Sequence, residues 1–237
     1  MIILDQLSKV VRSDNKTRNV LSSQTIEIPS NRRIALLGSS EDDKRILIEL
    51  LAGLIMPDAG RIVRKAQLSF PVGQLPGFSK ELSIRVNVAH VARLYGANVG
   101  QTVKMVERIF TVGKALDRPY GDLPRKMRRP LSQIVAFSLP FDAYLLTDDK
   151  LRPEPGKSKS ERGEDDFSAS CSALFQARMQ TSGMIIPTDD SGFAREHCEI
   201  GLVLDNGRLK LVDDFSEVSE VPRLKRQRHR RDDDSDD

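Results

Sequence analysis

Gly38 and Lys44 bracket a short polar loop, Gly38-Ser39-Ser40-Glu41-Asp42-Asp43-Lys44, which follows the apolar run Arg33-Ile34-Ala35-Leu36-Leu37. From Lys44 onward, Leu47, Leu50, Leu51 and Leu54 recur at helical spacing. A glycine turn, a lysine and a helix start are the parts that bind phosphate, through inward-facing backbone N–H groups and a cation. One glycine and one lysine also meet this pattern by chance. Glu41, Asp42 and Asp43 oppose the chemistry, because each close contact between a carboxylate and a polyphosphate costs from about 1 kcal/mol in water to about 4 at an effective dielectric of 20. The other reading of the loop is a solvated turn in which Asp42 or Asp43 caps the helix.

Further chemical candidates are sparse. Asp148 and Asp149 follow the apolar strand Tyr144-Leu145-Leu146 and read as a polar loop start or as a metal-binding pair. Gln74 sits in Gly73-Gln74-Leu75-Pro76-Gly77, a weak signal alone. His90 lies on a helical stretch, and His197 beside Cys198 lacks further ligands at zinc spacing, so no metal site is expected. No Gly-x-Ser-x-Gly turn supports a hydrolase triad. Arg125, Lys126, Arg128 and Arg129 form a basic cluster that reads as a solvated face or as a contact for an anionic surface.

The elements that must position these residues alternate. Strands are predicted at Met1 to Val11, Val20 to Ile28 and Arg61 to Val63, then at Ala143 to Leu146, Met184 to Ile186 and Gly201 to Leu204. Helical periodicity covers Lys44 to Leu54, Ser83 to Leu94, Gln101 to Phe110 and Met127 to Ser138. The pattern predicts an α/β fold with an antiparallel opening sheet, a parallel core covered on both faces, and a helical lobe over roughly 78–139. Residues 149–166 read as a flexible loop, and 221–237 as a disordered tail, basic and then acidic.

With 37 basic and 34 acidic residues in 237, the net charge is only +3, and the charge lies in local clusters. The tail's acidic block would neutralise its basic one, and no aromatic is interleaved to stack bases, so nucleic-acid binding is not expected. Cys171 and Cys198 lack CxxC spacing, which fits a reducing, cytoplasmic setting. No run of eighteen apolar residues occurs, so membrane association is expected to be peripheral, through a partner.

The ordered landmarks Leu36-Leu37-Gly38, Lys44, Leu50-Leu51-Ala52-Gly53-Leu54, Pro57-Asp58 and Gly60-Arg61-Ile62 resemble the P-loop and following helix of ATP-binding cassette (ABC) ATPases. Asn87, Phe141-Asp142-Ala143-Tyr144-Leu145-Leu146, Cys198 and Val203-Leu204-Asp205-Asn206-Gly207 are most similar to the nucleotide-binding subunits of capsular-polysaccharide exporters. The resemblance covers roughly 1–220. It implies a P-loop NTPase fold of ABC type, with a transporter membrane subunit and an intact ATP-binding subunit, or a second copy, as partners.

Carried over residue by residue, the resemblance also implies degeneracy. Glu41 and Asp43 stand where the later P-loop glycines fall, Arg45 where a magnesium-binding hydroxyl falls, and Val11 where an aromatic ring stacks on adenine. Thr147 occupies the magnesium-binding aspartate's place and Asp148 the catalytic glutamate's, unless a shift of one residue makes Asp148 and Asp149 the pair. Leu123-Pro124-Arg125-Lys126-Met127 matches the signature motif, where proline has no N–H to give and Arg125 and Lys126 block close approach. Asp189 matches the switch histidine, and Gln74 the lobe-linking glutamine. What remains is a vestigial site of Gly38, Lys44, Gln74 and Asp148. The expected protein is a pseudo-ATPase without a cofactor, a structural or regulatory companion in polysaccharide export. The alternatives are residual or asymmetric ATPase activity with Mg-ATP through Lys44 and Asp148, and a soluble interaction module acting through its basic tail.

Overall fold

The computed structural model describes residues 1–13, 16–38, 40–110, 116–149, 164–213 and 215. The predicted tail and most of the predicted 149–166 loop therefore lie outside the described residues.

Two long strands, β1 (Ile2–Ser13) and β2 (Lys16–Ile28), pair antiparallel, and β4 (Ala59–Arg64) pairs with the other edge of β1. This makes a three-stranded sheet of order β2-β1-β4. Its inward residues Ile2, Leu4, Leu7, Val20, Leu21 and Ile28 are buried against α1 (Glu41–Ala52) and one face of the main sheet. The main sheet has the order β5-β6-β3-β7-β8, built from β3 (Arg33–Gly38), β5 (Ala143–Leu145), β6 (Gly183–Pro187), β7 (Ile200–Asp205) and β8 (Arg208–Val212). The first four strands are parallel and β8 is antiparallel to β7. The buried runs of β3, β5 and β6 are apolar on both sides, as a sheet covered on two faces requires.

The opposite face carries α2 (Ile84–Leu94), α3 (Val99–Ile109) and α4 (Arg125–Ser138), whose apolar residues join Phe70, Phe141 and Tyr144 in a second core. Asn87 is buried within it for a local reason. Its amide accepts from Ser79 N and donates to the carbonyls of Ser79, Leu82 and Ser83, closing the turn that starts α2.

Three departures from the expected elements have simple causes. α1 begins at Glu41, because Ser40, not Asp42 or Asp43, caps it by accepting from Asp43 N at 3.2 Å. Helix α5 (Glu164–Thr181) absorbs the end of the expected 149–166 loop. Helix α6 (Ser191–His197), capped by Asp190, is too short to show a period in sequence.

Candidate nucleotide site

The parallel topology carries Gly38, at the end of β3, and the residues after β6 to the same rim of the sheet. Gly38 persists there for a packing reason: a Cβ at this position would collide with the Leu204 carbonyl oxygen on β7. The glycine is thus required by the sheet irrespective of phosphate.

Lys44 is on the first turns of α1 and is 1% exposed. An ammonium at that depth needs counter-ions. Its Nζ lies 2.6 Å from Glu41 Oε1 and 2.6 Å from Asp189 Oδ1. The two carboxylates keep 67% and 62% exposure, so they form a lid with its outer face in water and its inner face on Lys44. Burial pushes Glu41 above the ordinary carboxylate value, against the Lys44 hydrogen bond. For Asp189 burial acts upward too, but hydrogen bonds with Lys44 and Glu41 outweigh it and hold this carboxyl low. The fixed negative charge therefore belongs chiefly to Asp189, with Glu41 the softer partner.

The three consecutive acids, read from sequence as opposing a polyphosphate, do not act as one group. Each finds a separate cation. Glu41 takes Lys44, Asp42 lies 3.4 Å from Arg45, and Asp43 pairs with Arg18 of β2. Arg18 also donates to Ser40 Oγ at 3.0 Å and is the cross-strand partner of Val11, so a guanidinium stands beside the place where the resemblance puts an adenine-stacking ring. Arg45, also 3.1 Å from Glu49, runs along the exposed side of α1.

At the end of β5, the choice between Asp148 and Asp149 resolves into two occupied carboxylates. Arg129 grips Asp148 with Nη2 at 2.6 and 2.8 Å from its two oxygens, and Asp149 accepts from Thr188 Oγ1 at 2.8 Å. Thr147 donates to the Val72 carbonyl at 2.9 Å. Asp148 and Asp149 are thus held, rather than opening a solvated loop. Gln74 is exposed; its backbone carbonyl accepts from Ser132 Oγ, and Gly73 N donates to the same hydroxyl. The structure brings Lys44, Glu41 and Asp189 together and leaves Gln74 outside that cluster's bonds.

The basic cluster also divides instead of forming one solvated face. Arg128 donates to the carbonyls of Gly121 and Leu123 and lies over Tyr120, 5.3 Å from its centroid, which pins the turn before α4. Arg125 and Lys126 are exposed at the helix start. His90 is exposed, and His197 packs on Phe193 at 4.8 Å between centroids. Among the described residues no cluster of three or more metal-ligating side chains occurs, and no helix is long and apolar enough to cross a membrane. Sequence reasoning missed Arg18 and the Arg129–Asp148 pair, since neither pairing leaves a local signal.

This fold is that of an ATP-binding cassette ATPase domain. A solved ATP-binding subunit of an ABC transporter superposes with a TM-score of 0.62 at 20% identity, covering 89% of this chain and 88% of that one. In sequence, the relatives include ATP-binding proteins of polysaccharide export. The chain is 28% identical over 208 residues to the polysialic acid transport ATP-binding protein KpsT of Escherichia coli, covering 87% of this chain and 88% of KpsT. It is 23% identical over 221 residues to the capsule polysaccharide export ATP-binding protein CtrD of Neisseria meningitidis, covering 93% and 97%. No family model matches the chain.

Proposed function

We propose that this chain is a non-hydrolysing ABC-type protein, a structural or regulatory companion of a polysaccharide exporter rather than its motor. One observation carries the reading: the buried Lys44 ammonium is already neutralised by Glu41 and Asp189. A triphosphate entering over the start of α1 would have to displace both acids and then face them, and each such contact costs from about 1 to about 4 kcal/mol. Asp148, at the place that matches the catalytic glutamate, is taken by Arg129. These residues do not fit Mg-ATP. The link to export rests on the relatives, and that to a membrane subunit on the retained helical lobe α2–α4.

Calorimetric titration with Mg-ATP, together with a phosphate-release assay, tests the proposal. Neither micromolar binding nor turnover is expected. Micromolar binding that disappears in Lys44→Ala would overturn it. Co-sedimentation with membranes holding the exporter's membrane subunits tests the companion role, which fails if the protein stays in the supernatant.

A further inference from the structure

Charge is divided unevenly between the two parts of the chain. Residues 78–139, the helical lobe, hold eleven Lys and Arg against four Asp and Glu, a net +7, whereas the rest of the chain holds 26 against 30, a net −4. The formal +3 of the whole therefore hides a basic lobe on a mildly acidic remainder.

Helix α2 gives this lobe an exposed apolar stripe. Ile84, Val88, Val91 and Ala92 fill its buried face, while Val86, His90 and Leu94, spaced by four, share the outer one. Val86 is 47% exposed and Leu94 64%, and Leu82, just ahead of the Ser83 cap, is 46% exposed. His90, between Val86 and Leu94, offers an apolar ring with a polar edge. Cations accompany the stripe. Arg93 on α2, with Lys104 and Arg108 on α3, is exposed, and none of the three makes an ion pair among the described residues. The outer faces of the two helices adjoin, because Arg85 of α2 reaches Glu107 of α3 at 2.8 Å.

We propose that the outer face of α2 docks directly on an anionic lipid bilayer, with Leu82, Val86 and Leu94 entering the headgroup region and Arg93, Lys104 and Arg108 meeting lipid phosphates. A helix with an apolar stripe and basic flanks lies in the plane of such an interface, held by apolar burial and by attraction to anionic lipid together. An acidic polymer would satisfy the cations and leave the three apolar side chains in water; a bilayer takes both. The proposal needs neither an inert nucleotide site nor a membrane subunit. Vesicles free of protein test it, whereas nucleotide titration tests the preceding reading.

The full chain would be sedimented with vesicles of phosphatidylcholine alone and with vesicles containing about 30 mol% phosphatidylglycerol, at about 100 mM NaCl. Binding is expected only to the anionic vesicles, with affinity falling at least about tenfold at about 500 mM NaCl. Val86→Ser combined with Leu94→Ser should weaken binding at least about tenfold, with unchanged circular dichroism because both side chains are exposed. Arg93→Glu should weaken it by about tenfold as well. If the basic residues of the tail did the binding, the serine variant would bind as the wild type does. That result, equal binding to neutral vesicles, or no binding to anionic ones would each overturn the proposal. Pelleting only with vesicles that hold the exporter's membrane subunits would overturn it too, and would assign this face to a protein.

Discussion

The ammonium of Lys44 lies 2.6 Å from the carboxylate of Asp189, a partner 145 residues away in sequence. The contact exists because β6 lies parallel beside β3, so that the chain leaving β6 arrives over the first turn of α1. With Glu41 as second partner, it neutralises an ammonium that is almost fully buried.

Stability should depend on this triad. Glu41→Gln combined with Asp189→Asn leaves the buried ammonium without a carboxylate. Breaking a fully buried pair costs about 3 to 5 kcal/mol, and the exposure of the two acids reduces this to about 2 kcal/mol. Urea unfolding should report that loss, with the melting temperature about 4 to 8 °C lower. An unchanged midpoint would mean that water satisfies Lys44 as well as the acids do.

The two carboxylates should show opposite pH signatures. Asp189 is held below its ordinary value of 3.8, so its contribution is complete above that pH and is lost as pH falls through the lowered folded value. Glu41 is raised above 4.5, so its contribution is complete below that pH and is lost as pH rises through the raised folded value. Denaturant melts at stepped pH should therefore show wild type losing ground to Glu41→Gln as pH rises past 4.5. Its advantage over Asp189→Asn should shrink as pH falls below 3.8.

Gly38→Ala should damage the fold with no nucleotide involved. The added methyl meets the Leu204 carbonyl, and overpacking of a rigid backbone costs about 1 to 3 kcal/mol. The check is the urea midpoint of the nucleotide-free protein. No change there would return Gly38 to a purely phosphate-related role.

The two thiols should be inert in the native state. Burial pushes Cys171 and Cys198 up to about 12, so at pH 8 both stay protonated as well as inaccessible. A thiol-reactive disulfide reagent should label neither in buffer and both in urea, at a native rate set by unfolding. Fast native labelling would show an open route to α5 or α6.

Legibility followed periodicity. β1 to β7 and α1 to α4 announce themselves through alternating or helical apolar spacing, and Asn87 and Gly38 fall at positions whose packing explains them. α5 escaped notice because its apolar residues gather on no single face, and α6 because seven residues are two turns. In β8, Leu209 and Leu211 alternate with Arg208 and Lys210, a strand signal that lay just past the Asn206-Gly207 turn.

The candidate site divides the same way. Residue types alone determined what the loop presents, because Glu41, Asp42 and Asp43 bring carboxylates and Pro124 has no N–H to donate, whatever their surroundings. Which acid meets which cation was decided only in three dimensions. Lys44 with Asp189, Arg18 with Asp43 and Arg129 with Asp148 join residues from different elements, and strand order and helix placement, not local sequence, set those distances.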